Sequence, residues 1–255
     1  AAGSILGAEE VPEDKQCERL MQICQVLCGR IVEFVNSTDA KNDAWASQNA
    51  MRCVVALINL SKGFSARICV QLRPKVGEIF RSAMEVTVSC LKRWPREKGV
   101  RHRVVGYLHQ MVQILNETIV PYLPDAVDSL RSKGTNSKEL GETLVLINQL
   151  SNTFKASLLP MIAPLFLSLR LQVHENIRVG LSQSASSDEF TRESHELERN
   201  WIQTLNTFAL TSLLSPMLAA NAEARDLCLI ELVENAKKHS SISIRKLCLQ
   251  TLKNI

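Results

Sequence analysis

Apolar residues return every three or four positions along nearly the whole chain, the period that one face of an α-helix requires. From Lys15, the positions Leu20, Ile23, Cys24, Leu27, Ile31 and Phe34 form the first such stripe. Pro12, Glu13 and Asp14 precede it; proline has the φ of a first helical turn, and the acids suit the positive end of the helix. A second helix is predicted over 43–60, with Ala50, Val54, Leu57 and Ile58 inward and Gly63 as its stop. Pro74 opens a third, which buries Val76, Ile79, Phe80, Met84, Val88 and Leu91 and ends before Pro95. A fourth covers 100–119, with Val104, Leu108, Met111, Val112 and Leu115 inside.

Pro121 and Pro124 then bracket a bend, followed by a short helix over 125–131 that Gly134 and Asn136 close. The pattern resumes over 138–154 through Leu140, Leu144, Ile147 and Leu150, and again from Pro160 or Pro164 to about Val179. The small, polar run SQSASSDE reads as a flexible loop, expected over 182–192. Beyond it come helices over 190–214 and 223–238 and a last one from Ser243. No run alternates as a strand would.

The segments also repeat. RPKVGEIFRS (73–82) and LPDAVDSLRS (123–132) share a proline, an aliphatic stretch and Arg-Ser at the same offset; APLFLSLRLQ (163–172) keeps the proline and the apolar pattern. Pro74, Pro124 and Pro164 stand 50 and 40 residues apart, near the period of about 40–47 residues for HEAT and armadillo repeats. One helix pair cannot bury its apolar face alone, so pairs stack and share a core. The expectation is an all-α HEAT-repeat α-solenoid, residues 1–255 forming a single fragment of about five helix pairs. The chain starts with Ala and its last segment stops inside a helical pattern, as a piece of a longer protein would.

Composition agrees: 45% of residues are apolar and only 5% aromatic, so the core must be aliphatic. The longest apolar run, 158–169, is short of the ~20 residues of a membrane span and is broken by Pro160 and Pro164, so no membrane insertion is expected. The eight cysteines sit mostly among aliphatic residues, and Cys17, Cys24 and Cys28 share one helix face. That spacing reads as buried thiols in a reducing compartment; the lone C-x₃-C pair, Cys24 and Cys28, has no second such pair or nearby His set to suggest a metal. None of His102, His109, His174, His195 and His239 stands in a nucleophile, metalloprotease or deaminase pattern, and no phosphate-binding glycine loop occurs. The sequence reads as a binding protein without catalytic centre or cofactor.

Charge changes the picture most. The net charge is +4, yet residues 62–103 alone carry eleven basic groups (Lys62, Arg67, Arg73, Lys75, Arg81, Lys92, Arg93, Arg96, Lys98, Arg101 and Arg103) against Glu78, Glu85 and Glu97. The densest part, LKRWPREKGVRHR (91–103), falls at a turn between two predicted helices and includes Trp94. Such a cluster can neutralise phosphates without reading sequence. It can equally be a solubilising turn with Trp94 packed between repeats. Lys62 at a helix C-terminus also has a structural reason, the helix dipole.

INLSKGFSARICVQLRPKVGEIF (58–80), YLHQMVQIL (107–115), IVPYLPDAVDSL (119–130), LVLINQLSNTFKASL (144–158), HELERNWIQTLNTF (195–208) and SISIRKLCLQTLKN (241–254) resemble, in this order, the C-terminal half of the exportin-T family. The resemblance runs from about Arg52 to the end. It implies a karyopherin-β receptor that shuttles between nucleus and cytoplasm, carrying tRNA with Ran-GTP past nuclear pore proteins. Ran-GTP would sit mainly on N-terminal repeats, and this segment would belong to the arm that cradles the tRNA backbone. The implied phosphate contacts are Lys62, Arg67, Arg73, Lys75 and Arg81, joined by Arg93, Arg96, Lys98, Arg101 and Arg103. A HEAT scaffold that meets an acidic protein surface is the alternative.

Overall fold

The computed structural model describes residues 12–37, 42–65, 73–131, 135–182 and 188–255. The chain divides into two compact units, residues 1–132 and 133–255. All regular structure among the described residues is helical.

The first unit holds α1 (Glu13–Asn36), α2 (Asp43–Ser65), α3 (Arg73–Arg93), α4 (Lys98–Leu115), a 3-10 stretch (Asn116–Tyr122) and α5 (Leu123–Leu130). Helices α1 and α2 pair as a hairpin, and α3 pairs with α4. The second hairpin stacks on the first so that α1 lies on α3 and α2 on α4, while α5 returns against α3. This is how stacked repeats close a core that one pair leaves open. The predicted stripes face inward for the most part: Leu20, Ile31, Leu57, Phe80, Met84, Leu91 and Leu108 are fully buried, whereas Ile23, expected inward on α1, is exposed. Each buried side chain contributes roughly 1.5–3 kcal/mol relative to exposure.

The second unit holds α6 (Ser137–Phe154), an irregular helical stretch over 155–165, α7 (Phe166–Ser182), α8 (Asp188–Leu210), α9 (Leu214–Ala220), α10 (Ala222–Lys238) and α11 (Ile242–Lys253). Here α6, α8 and α11 pack in succession, α7 packs on α6 and α8, and α10 pairs with α11. Trp201, Phe166 and Phe208 form its aromatic centre, with ring centroids 6.0 and 6.2 Å from Phe166. Asn136 caps α6, accepting from the Glu139 N–H at 2.8 Å while the Glu139 carboxylate accepts from the Asn136 N–H at 3.2 Å.

The prolines stand where the sequence places them, in opening turns: Pro74 is the second residue of α3 and Pro124 the second of α5. Several boundaries differ from expectation, among them the start of α7, at Phe166 rather than at Pro160 or Pro164, and the end of α8, at Leu210 rather than 214. Gly63 does not stop α2, which continues to Ser65. The helix expected over 100–119 gives way after Leu115, where Asn116 takes φ 47° and 3-10 geometry carries the chain past Pro121; proline has no N–H to continue the ladder. Residues 188–192, assigned to the loop, are the first turns of α8, while 183–187 lie outside the described residues.

An 18-residue window between Ser137 and Ser182 is apolar enough by composition to cross a membrane. Its backbone is interrupted by Lys155 at φ 46° and by short 3-10 turns, and Leu140, Leu144, Ile147, Leu150 and Leu169 are core residues of the second unit. The thiols behave as small apolar groups. Burial pushes Cys24, Cys90 and Cys228 up to about 12 and Cys28 and Cys248 up to about 11.

Candidate nucleic-acid interface

The turn joining α3 to α4 concentrates the basic residues, and the chain shapes it with backbone hydrogen bonds. The Trp94 N–H closes the end of α3 on the Cys90 carbonyl at 2.9 Å, and the Glu97 N–H returns to the Trp94 carbonyl at 3.2 Å. Trp94 is only 6% exposed. Its indole N–H donates to Oδ1 of Asp43, the first residue of α2, at 3.0 Å. The Arg93 guanidinium donates to the same oxygen at 2.6 Å and to the Ser37 carbonyl at 3.5 Å, and lies 5.5 Å from the centre of the Trp94 indole. Asp43 thus gathers a charged and a neutral donor, and the turn is fixed to the previous hairpin.

Arg101 does the same job in the opposite direction. In the first turn of α4, 3% exposed, it donates to the Pro95 carbonyl at 2.9 Å and to the Leu130 carbonyl at the end of α5. It corrects the expectation of a phosphate contact: the guanidinium points inward and satisfies carbonyls that a helix end and a turn leave open.

The other expected contacts fall into three groups. Lys75 lies 3.9 Å from Asp14, Arg81 pairs with Glu78 at 2.5 Å, and Arg93 with Asp43; neighbouring Lys92 pairs with Asp125 at 2.6 Å. Apart from Arg93, which is one-third exposed, these cations are about half exposed or more. Exposed pairs of this kind contribute only about 0–1 kcal/mol, so a phosphate can compete for the cation. Arg96, Lys98 and Arg103 are exposed and make no ion pair among the described residues. Lys62 is exposed in the last turn of α2, where its charge suits the helix end. Arg67 lies outside the described residues, and Arg73 is the first residue of α3.

The continuous band read from the sequence therefore resolves into a tight turn carrying Arg96, with Lys98 and Arg103 in the opening turns of α4 and Lys92 in a weak surface pair beside it. Lys75 stands about 27 Å away near the start of α3. Sequence reasoning missed two features that the structure supplies. One is the anchoring role of Asp43. The other is a concavity of about 630 Å³ in the second unit, between α8 and the α10–α11 turn. The spacing of Arg192, His195 and Arg199 on one face of α8 was the signal for it. A smaller, apolar hollow of about 440 Å³ lies between α1 and α3, lined by Met21, Cys24, Cys28, Ile79 and Val86 among others.

Comparison with known proteins gives one consistent result. The sequence profile of the Exportin-T family matches residues 1–255. Exportin-T of Oryza sativa subsp. japonica is 30% identical over 266 residues, covering 100% of this chain and 26% of that protein. Exportin-T of Arabidopsis thaliana is 30% identical over 256 residues, covering 98% and 26%. Exportin-T of Homo sapiens is 25% identical over 199 residues, covering 75% and 20%. The chain spans about a quarter of the length of the curated relatives it matches.

Proposed function

Because the chain belongs to the exportin-T family of helical-repeat proteins, we propose that it is part of a nuclear export receptor for tRNA and contributes phosphate contacts from the α3–α4 turn. The observation carrying this reading is the exposure of Arg96, Lys98 and Arg103, unpaired among the described residues, on and just after a turn held by Arg93, Trp94 and Arg101. Cations on a fixed edge can follow a sugar–phosphate surface, and each phosphate neutralised releases condensed counterions. Such contacts position a folded RNA and carry no base information, as a receptor for all tRNAs requires. Lys92 joins when a phosphate displaces Asp125, and Lys75 and Arg81, nearer the other end of α3, do so when Asp14 or Glu78 gives way; Lys62, Arg67 and Arg73 are proposed as further phosphate contacts. Ran-GTP is engaged by repeats elsewhere in the longer protein, and shuttling between nucleus and cytoplasm brings it against nuclear pore proteins.

The test is charge reversal, Arg96→Glu with Lys98→Glu and Arg103→Glu, in the full-length protein with Ran-GTP and mixed tRNA. Affinity is expected to fall more than tenfold. The slope of log K against log salt should become shallower by about three phosphates' worth. Unchanged tRNA affinity overturns the reading, and retained binding of an acidic protein partner would then favour a protein scaffold.

A further inference from the structure

We propose that the concavity between α8 and the α10–α11 turn is a second anion site, built to hold a phosphate group. It is independent of the cations at the α3–α4 turn.

Arg192, His195 and Arg199 fall at i, i+3 and i+7, so they line one face of α8. That face forms one wall of a cavity of about 630 Å³, and His239, Ser241 and Ser243 stand on the other wall. Arg192 and Arg199 are exposed and make no ion pair among the described residues. Their Cα atoms are about 10.5 Å apart along the helix, a separation two long guanidinium side chains bridge by converging on one tetrahedral oxyanion.

The acidic residues of α8 would cancel these charges if they faced the same way, and hydrogen bonding decides that they do not all do so. The Ser241 N–H donates to Nδ1 of His239 at 2.9 Å, which leaves the proton of the neutral ring on Nε2. That Nε2 faces Oε2 of Glu198 at 3.3 Å, and Nδ1 of His195 lies 3.8 Å from the same oxygen. Glu198 is thereby engaged by the two histidines and is not itself a lining residue, and Glu196, at i+4 from Arg192 and i−3 from Arg199, is the one carboxylate among the lining residues. The hydroxyls of Ser241 and Ser243, 2.8 Å apart, share one hydrogen bond and leave further donor capacity for a ligand oxygen. The arginine pair on one wall and the serine hydroxyls on the other are the donor set for phosphate. A bare solvated helix face has no opposite wall.

The probes are inorganic pyrophosphate and a short RNA duplex, titrated separately into the 255-residue chain with ¹³C-labelled histidine. Pyrophosphate is expected to shift the ring C–H resonances of His195 and His239 saturably, with Kd on the order of 1 mM or tighter. The double variant Arg192→Ala, Arg199→Ala, both at exposed positions, should weaken this about tenfold or more. Glu196→Gln should tighten it roughly twofold. Competition between the duplex and pyrophosphate would identify the phosphate as one borne on an RNA backbone; pyrophosphate binding without duplex binding would identify a small phosphate ester. Unsaturable shifts, equal shifts in the double arginine variant, or no gain from Glu196→Gln overturn the proposal. Because the substitutions spare Arg96, Lys98 and Arg103, either outcome is distinguishable from failure of the tRNA reading.

Discussion

Arg170 of α7 and Glu231 of α10 form an ion pair with Nε and Oε2 3.1 Å apart, and both side chains are about nine-tenths buried, 10% and 8% exposed. The other carboxylate oxygen accepts from the Trp201 indole N–H at 2.9 Å, and Arg170 also donates to the Leu227 carbonyl at 3.3 Å. One acid therefore ties α7, α8 and α10 together. Removing a single member strands a buried charge, so Glu231→Ala is expected to cost about 3–5 kcal/mol in urea unfolding. Replacing both, as Arg170→Met with Glu231→Leu, should cost far less. A loss below about 1 kcal/mol for Glu231→Ala would show that water reaches the pair.

Arg101 and Arg96 are separated by five positions and by role. Arg101→Ala leaves the Leu130 and Pro95 carbonyls without their donor and should destabilise the chain by about 1–3 kcal/mol, with little change in RNA affinity per folded molecule. Arg96→Ala should do the reverse, lowering RNA affinity at unchanged unfolding midpoint. The pair of measurements separates scaffold from contact.

Releasing a paired cation should strengthen binding. Asp125 holds Lys92 at 2.6 Å across an exposed gap. Asp125→Asn is expected to raise RNA affinity roughly twofold to threefold at low salt. The gain should vanish near 1 M salt, where the screening length is about 3 Å. A gain that persisted at high salt would point to a conformational cause instead.

The buried thiols predict an alkaline limit to stability. Cys24, Cys90 and Cys228 are held up at about 12 and Cys28 and Cys248 at about 11, because burial penalises the thiolate. An unfolded thiol ionises near pH 8.5. The folded state therefore binds more protons between these values, and its stability falls as pH rises from about 9 toward 12, having been fully present below. Melting curves from pH 7 to 11 should show a progressive decline, smaller in Cys90→Ala relative to its own pH 7 value. At pH 8 in native buffer the buried thiols Cys24, Cys90, Cys228 and Cys248 should resist alkylation, half-buried Cys28 should react sooner, and urea should expose them all.

Much of the fold was legible because aliphatic spacing and proline position act locally. Leu20, Ile31, Phe80 and Leu108 were assigned inward from periodicity alone, and each is fully buried. Pro74 and Pro124 marked helix openings for the same local reason. The site was less legible, since a basic residue's role depends on what another segment brings to it. Arg101 gave one overlooked clue: it sits three, four and seven positions before Val104, Val105 and Leu108, on the apolar face. Arg170 shows the same sign, between buried Phe166 and Val173. By contrast nothing near Asp43 in the sequence announces that Arg93 and Trp94, fifty residues on, will share one of its oxygens.

That shared oxygen has a kinetic corollary. A loop secured at the root by two donors has already surrendered its backbone freedom before any partner arrives, so encounter demands no search through loop shapes. Association at the proposed interface is then expected to be governed by collision and by the long reach of the field, fast in dilute buffer and slowed as ions are added. Loosening the root with Asp43→Asn would turn a ready-made mould into a segment that must set anew at each meeting.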